Sequence, residues 1–289
     1  MLGGSTLMLW QTILNALASG AALVLLGLAV SYGFAVSRFI SFSIALTYVL
    51  GGYAAWTMRG HPVAGMLLAM ATAGLAGAAS EWVVFRPLRS RGSSALVLML
   101  ASLGLYAFGQ NAISVFAGDD IKSIATVIAF VSVPIGSGQL SFVQVLITAL
   151  AILTAVCVRC FEERSFYGVQ ARALVCDVGL ATAVGIPVQG ICLGMAVGTA
   201  GLSGLAGALA GWDTGLTPTM GMPAFMTCAA AVLIGGVGSA RGVVLGALLV
   251  SVTQQAAVWV LGSQWQQAVV FVVLFVALLF RPRGFSTIG

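Results

Sequence analysis

Apolar residues run along this chain in near-continuous stretches of membrane length, separated by short polar interruptions. The stretches lie at 7–34, 39–58, 62–85, 95–117, 141–161, 188–211, 223–237, 243–261 and 266–280. None shows the apolar–polar alternation of a barrel strand, so length and pattern predict helices. The same conclusion follows from the backbone, whose polar groups must be satisfied within the segment in lipid. The run GGVGSARG, from Gly235 to Gly242, divides 223–261 into two shortish halves. They read either as two spans or as one broken helical hairpin. The predicted fold class is an all-α polytopic membrane protein with about 8–9 transmembrane helices, in a single domain over 1–289.

Two polar interruptions are long enough to have structure of their own. The first, at about 118–140, contains an Ile-, Val- and Phe-rich portion from Ile124 to Ile135 and reads as a short surface hairpin or a lid. The second, at about 160–187, brings Arg159, Arg164 and Arg172 together with Glu162, Glu163 and Asp177. Its pattern turns helical after Gly168, with Ala171, Leu174, Val175 and Val178 to one side, and a second small-residue helix closes at Gly185 and Pro187. A link this long with its own helices is unusual for a passive connection. Two readings stand: an ordered knob that touches something outside the membrane, or an interfacial helix that anchors the loop.

Composition and charge refine this picture. Hydrophobic residues make up 60% and charged residues 7% of the 289 residues, which excludes a soluble domain. The net charge of +5 is a topology signal rather than a nucleic-acid surface. Placing the C-terminus inside puts Arg38, Arg86, Arg89, Arg91, Arg159, Arg164, Arg172, Arg241, Arg281 and Arg283 on the inner face, leaving only Arg59 and Lys122 outside. By the positive-inside rule the N-terminus is outside and the C-terminus cytoplasmic. The first apolar run lacks the pattern of a cleaved signal and reads as a retained helix. Its Gln11 and Asn15 either bond a neighbouring helix or sit at the interface.

Few residues could carry chemistry. The five cysteines include one C-x-x-C, Cys157 and Cys160, but the only histidine, His61, is remote, so the cysteines are expected to pack rather than bind metal. No Ser–His pair or pair of aspartates lies at membrane depth, so the expectation is no enzyme and no catalytic residue. GGVGSARG lacks the Lys-Ser/Thr and the preceding strand of a nucleotide-binding loop. Apart from Glu81, near an inner helix end, the spans hold no ionisable group to couple to a proton or ion gradient. Pro87 is expected to stop the third helix, and an arginine at i,i+5 or closer is expected to neutralise Glu81. Glycines at 190, 194, 198, 201, 204, 207 and 211, with Gly238, Gly242 and Gly246 later, point to close helix packing or to faces smooth enough to slide during gating.

Several stretches resemble the permeases of branched-chain amino acid ABC importers. They are RALVCDVGLATAVGI from Arg172, EWVVFRPLR from Glu81 to Arg89, Thr217-Pro218 with Met220-Gly221, and VLIGGVGSARG from Val232. Ile40, Phe42, Gly52 and Tyr53 also match, whereas Ser41 stands where the family commonly has Asn, and Ile44-Ala45 where it has His/Gln-Gly. The resemblance spans roughly residues 10–285 and is strongest over 168–246.

The resemblance implies a permease subunit of an ATP-driven importer in the bacterial inner membrane, carrying branched-chain amino acids or a related small polar solute. It further implies three protein partners: cytoplasmic ATPase subunits, a second permease subunit (a copy or a paralogue) and an extracytoplasmic binding protein. ATP would be used by the partner ATPase, and this chain would bind no cofactor. By the same resemblance, Arg172, Asp177, Ala181, Gly185 and Ile186 belong to the ATPase-coupling loop. Ser41, Ser43, Thr47, Thr217, Pro218, Met220, Gly235, Gly236 and Gly238 are candidates for the path or its gating. The rival reading is an ion-coupled secondary transporter or a channel.

Overall fold

The computed structural model describes residues 2–123, 132–135 and 138–280. It is all-helical apart from one small hairpin. In chain order the helices are α1 (Leu2–Ser37), α2 (Ser43–Thr57), α3 (Pro62–Ser80), α4 (Arg86–Ser90), α5 (Ala95–Ala117), α6 (Phe142–Arg164), α7 (Phe166–Cys176), α8 (Val178–Ala183), α9 (Val188–Thr214), α10 (Gly221–Gly235), α11 (Ala240–Leu261) and α12 (Gln266–Phe280). Strands β1 (Ser132–Ile135) and β2 (Gly138–Ser141) pair antiparallel. Arg281 and Arg283, and the first part of the Ile124–Ile135 stretch, lie outside the described residues.

Seven helical stretches among the described residues are long and apolar enough to cross a bilayer. α2 and α10 differ, with 15 residues each. At 1.5 Å per residue each reaches about 22 Å, less than a hydrocarbon core of about 30 Å. Both are buried in the middle of the bundle. α2 starts beside the end of α3, where Ser43 and Thr47 share a cavity with Glu81, and ends beside its start, where Gly65 lies against Ala55, so the stretch 39–58 still runs from one end of the bundle to the other.

Glycine sets how closely the helices approach. α2 and α9 cross where Gly51 meets the backbone of Gly204, and one turn away Gly207 lies against the Tyr48 carbonyl. On its other side α9 meets α3, with Gly204 against Ala69 and Ala73, and Gly77 against Ala196 and Ala200. α10 and α11 form an antiparallel pair in which Gly235 meets Gly242, and Gly246 meets Ala231. Close packing thus accounts for Gly204, Gly207, Gly242 and Gly246, whereas a side chain at Gly194 or Gly198 would meet nothing within 4 Å. The core formed this way joins α1, α2, α9, α10 and α11 around Leu25, Val49, Leu209, Phe225 and Val243, all essentially inaccessible. α5, α6 and α12 join it only through a few residues, such as Tyr106, Ile147 and Val270, and are otherwise little buried, as lipid-facing helices are.

Two details of the polar ends depart from the expectations. Pro87 does not stop the third helix. A π-helical turn, Glu81–Phe85, in which the Arg86 amide bonds the Glu81 carbonyl, shifts the register, and the helix continues through Pro87 to Ser90. The wider turn accommodates the missing proline N–H. Gln11 does not merely sit at an interface. Its side-chain amide donates to the Gln139 carbonyl at 2.8 Å and accepts from the Gln139 amide at 3.0 Å, clamping α1 to β2.

Candidate functional site

A small cavity of about 50 Å³ opens between the end of α1, the elbow leading into α2, the π turn after α3, and α9. Its polar lining is concentrated. Ser41, Ser43 and Thr47 come from the elbow and α2, Ser80 and Glu81 from the end of α3, Arg89 from α4, and Thr199 from α9. The Ser41 and Ser43 hydroxyls are 2.7 Å apart. The Thr47 hydroxyl lies 3.0 Å from that of Ser203, which donates to the Ile44 carbonyl at 2.8 Å. These bonds tie α2 to α9 beside the cavity. Glu81 is buried, and both its carboxylate oxygens contact Arg89 Nη2 at 2.5 Å. The partner expected at i,i+5 or closer is thus replaced by one eight residues on, brought round by the π turn, while Arg86 is exposed.

The remaining path candidates lie elsewhere. Thr217, Pro218 and Met220 form the turn between α9 and α10, where the Met220 amide bonds the Thr217 carbonyl and the Met220 methyl approaches Gly52. Gly235, Gly236 and Gly238 form the α10–α11 link. Gly236 and Gly238 have φ of 103° and 79°, and the Gly238 amide donates to the buried Ser31 hydroxyl at 2.8 Å. Gly238 also borders a larger, mainly apolar cavity of about 440 Å³ that includes Tyr32, Glu162, Arg172 and Gly201. The fold therefore gathers Ser41, Ser43 and Thr47 into one site and leaves the other six apart. Thr199, Ser203 and Arg89 were missed. The two α9 hydroxyls, four residues apart on one helix face among glycines, were the available signal.

The segment 160–187 folds as the last turn of α6 followed by α7 and α8, and its sequence-selected residues turn out to build it. Asp177 caps α8, its carboxylate accepting from the amides of Gly179 at 2.7 Å and Leu180 at 3.1 Å. Gly185, at φ 86°, ends α8 in a Schellman turn, with its own amide on the Thr182 carbonyl and the Ile186 amide on the Ala181 carbonyl. Ala181 is buried and packs, with Ile186, against Ala171, Leu174, Ile191 and Cys192. Arg172 donates to the Glu162 carbonyl at 3.3 Å. The outward face belongs to other residues: Leu180 on α8 and Val184 at its C-cap, one turn apart and 68% and 75% exposed, with Phe166 and Tyr167 on α7. Arg38 links this segment to the cavity. It follows α1 with φ 58°, and its guanidinium donates to the Val175 carbonyl at 2.8 Å.

A multi-pass helical bundle enclosing a small polar cavity, with an ordered polar segment outside it, is the architecture of a membrane permease. The chain belongs to the family described as branched-chain amino acid transport system, permease component, whose model matches residues 12–278. It is 29% identical over 291 residues to the high-affinity branched-chain amino acid transport system permease protein BraD of Pseudomonas aeruginosa, covering 95% of this chain and 94% of that protein. It is 26% identical over 293 residues to the corresponding LivH proteins of Salmonella typhimurium and Escherichia coli K12, with the same coverage. The family is one of transport components and not of enzymes, which agrees with the reading of the sequence. Among solved structures, PsaBC from Streptococcus pneumoniae in complex with Fab shares the fold, at TM-score 0.52 and 13% identity over 93% of this chain and 91% of that one.

Proposed function

We propose that this chain is the transmembrane permease subunit of an ATP-driven ABC importer for branched-chain amino acids or a related small polar solute. It sits in the bacterial inner membrane with its N-terminus outside and its C-terminus cytoplasmic, a reading the arginine distribution supports. A second permease subunit completes the path, an extracytoplasmic binding protein delivers the solute, and ATP is consumed by cytoplasmic partner subunits rather than bound here. Single observations support single steps. The exposed Leu180–Val184 face is an apolar surface for the ATPase to grip. Ala181 and Ile186 fasten α8 to α9, and Arg38 fastens α7 to the elbow carrying Ser41 and Ser43. A push on α8 is thereby delivered to both walls of the polar cavity. The glycine crossings of α9 with α2 and α3 are where those walls would shift.

The observation that carries the reading is the capped, outward-facing α8 together with its ties to the cavity. Replacing Leu180 and Val184 by Glu tests it. The double variant should remain folded in the membrane yet lose co-purification of an ATP-hydrolysing subunit and lose solute uptake. Retention of both would refute the docking surface. One feature favours the rival, ion-coupled reading: Glu81 is a buried carboxylate on the cavity wall. Uptake that collapses with a protonophore while ATP is maintained would establish that mechanism instead.

A further inference from the structure

Among the described residues, Glu81 is the only charged residue buried in the bundle, and its partner is turned inward with it. Holding an ion pair in a low-dielectric site is rarely a gain in stability, because each charge loses its hydration. A topology signal needs arginines at the headgroups, a task Arg86 and Arg91 can perform from exposed positions. Arg89 is further distinguished by its Nε, which is buried and has no hydrogen-bond acceptor. Such a donor calls for a partner. The other polar side chains of the lining are neutral: the hydroxyls of Ser37, Ser41, Ser43, Thr47, Ser80 and Thr199, and the thiol of Cys192, a poor acceptor for a guanidinium. The wall thus offers one cation with an unused donor, one anion, and hydroxyls between them.

From this geometry we infer that the Glu81–Arg89 pair is a recognition site for a dipolar α-amino acid. The substrate carboxylate takes the free edge of Arg89. The ammonium takes Glu81 together with the hydroxyls of the elbow, and the side chain lies toward Phe39, Phe85 and Met195. At about 50 Å³ the cavity has room for roughly one or two waters, so an amino acid enters only as the site widens. Parting α9 from the α2 elbow, the movement delivered by α8, enlarges it. A solute carrying both charges replaces the pair's lost hydration, and one carrying a single charge leaves one partner uncompensated. This inference rests on the transport reading above but assigns recognition to residues the permease resemblance did not assign to the path.

The test is equilibrium binding of radiolabelled L-leucine to the assembled permease complex, without the extracytoplasmic binding protein. L-Leucinamide, which lacks the carboxylate, and 4-methylpentanoate, which lacks the ammonium, serve as competitors. Leucine should be displaced by itself and by neither analogue. Arg89→Gln and Glu81→Gln should each weaken binding by about 10- to 100-fold, the worth of a charged hydrogen bond. Since either change can destabilise the bundle, the exchanged pair Glu81→Arg with Arg89→Glu is the second variant. It keeps an ion pair and the folded amount, yet should not restore leucine binding. Restored binding there, unchanged affinity in the single variants, or equal displacement by either analogue would overturn the site. ATP-dependent uptake of an uncharged solute alone would also overturn it while leaving the importer reading in place. Leucine binding with nucleotide-independent uptake would keep the site and overturn the importer.

Discussion

The crossing of α2 and α9 is the sharpest place to test whether glycine spacing determines this fold. A methyl group added at Gly51 would lie 2.6 Å from the Gly204 carbonyl carbon, and closer still to that residue's α-carbon and oxygen. Normal contact begins near 3.4 Å, so the two helices would have to part by roughly 1 Å in an interior packed as densely as a crystal. The obstacle is backbone, which cannot swing aside as a side chain would. Overpacking of this kind costs about 1–3 kcal/mol, and the upper part of that range applies here. At Gly198 on the same α9, an added methyl meets nothing within 4 Å. Gly198→Ala should be neutral or stabilising by up to about 1 kcal/mol, from helix propensity alone. Both variants would be purified in mild detergent and followed by tryptophan fluorescence during thermal unfolding. Gly51→Ala should unfold several degrees lower than wild type, and Gly198→Ala at or above it. Equal melting of the two would refute the claim that this crossing, rather than glycine content in general, holds α2 against α9.

Two further substitutions probe the polar end. Asp177→Ala removes the two amide bonds that start α8 and should cost about 1 kcal/mol locally. Hydrogen exchange should therefore rise across 178–186 while the rest of the bundle keeps its protection, and faster exchange throughout would contradict a local cap. Arg38→Gly relieves a left-handed residue, worth about 1–2 kcal/mol, at the expense of backbone freedom and the bond to Val175. Its melting should stay within about 1 kcal/mol of wild type, while ATP hydrolysis continues with reduced uptake. Uptake that falls only in proportion to hydrolysis would show that Arg38 is not part of the linkage.

Much of the architecture was legible in the sequence because lipid imposes length and continuity on apolar runs. The boundaries of α5 coincide with its apolar run, which ends abruptly in turn-forming residues, and α12 begins where its run does. That α2 and α10 are short and sheathed by other helices was not legible, because hydropathy cannot separate burial in protein from burial in lipid. The π turn was invisible for a related reason. Its effect, turning Arg89 rather than Arg86 onto Glu81, depends on a register change that no single residue announces. In the segment 160–187, Asp177 and Gly185 stand out because capping and stopping a helix demand particular residue types. Those demands concern folding, however, and the surface left for a partner falls to Leu180 and Val184, which such signals do not reach.

The same distinction governs the departures from the familiar motif in α2. Ser41 replaces an amide side chain, and Ile44-Ala45 replace a polar pair. In the structure Ile44 still contributes a polar group, because its carbonyl accepts from both Thr47 and Ser203. Ser41 contributes through its partner Ser43. Polarity at the elbow is thus supplied by backbone and small hydroxyls, whose reach is short and whose charge is nil. A cavity lined in this way binds water or a neutral group without preference for the sign of a solute's charge. Discrimination between a zwitterion and a neutral solute must then come from the full charges nearby, and within the described cavity those are Glu81 and Arg89.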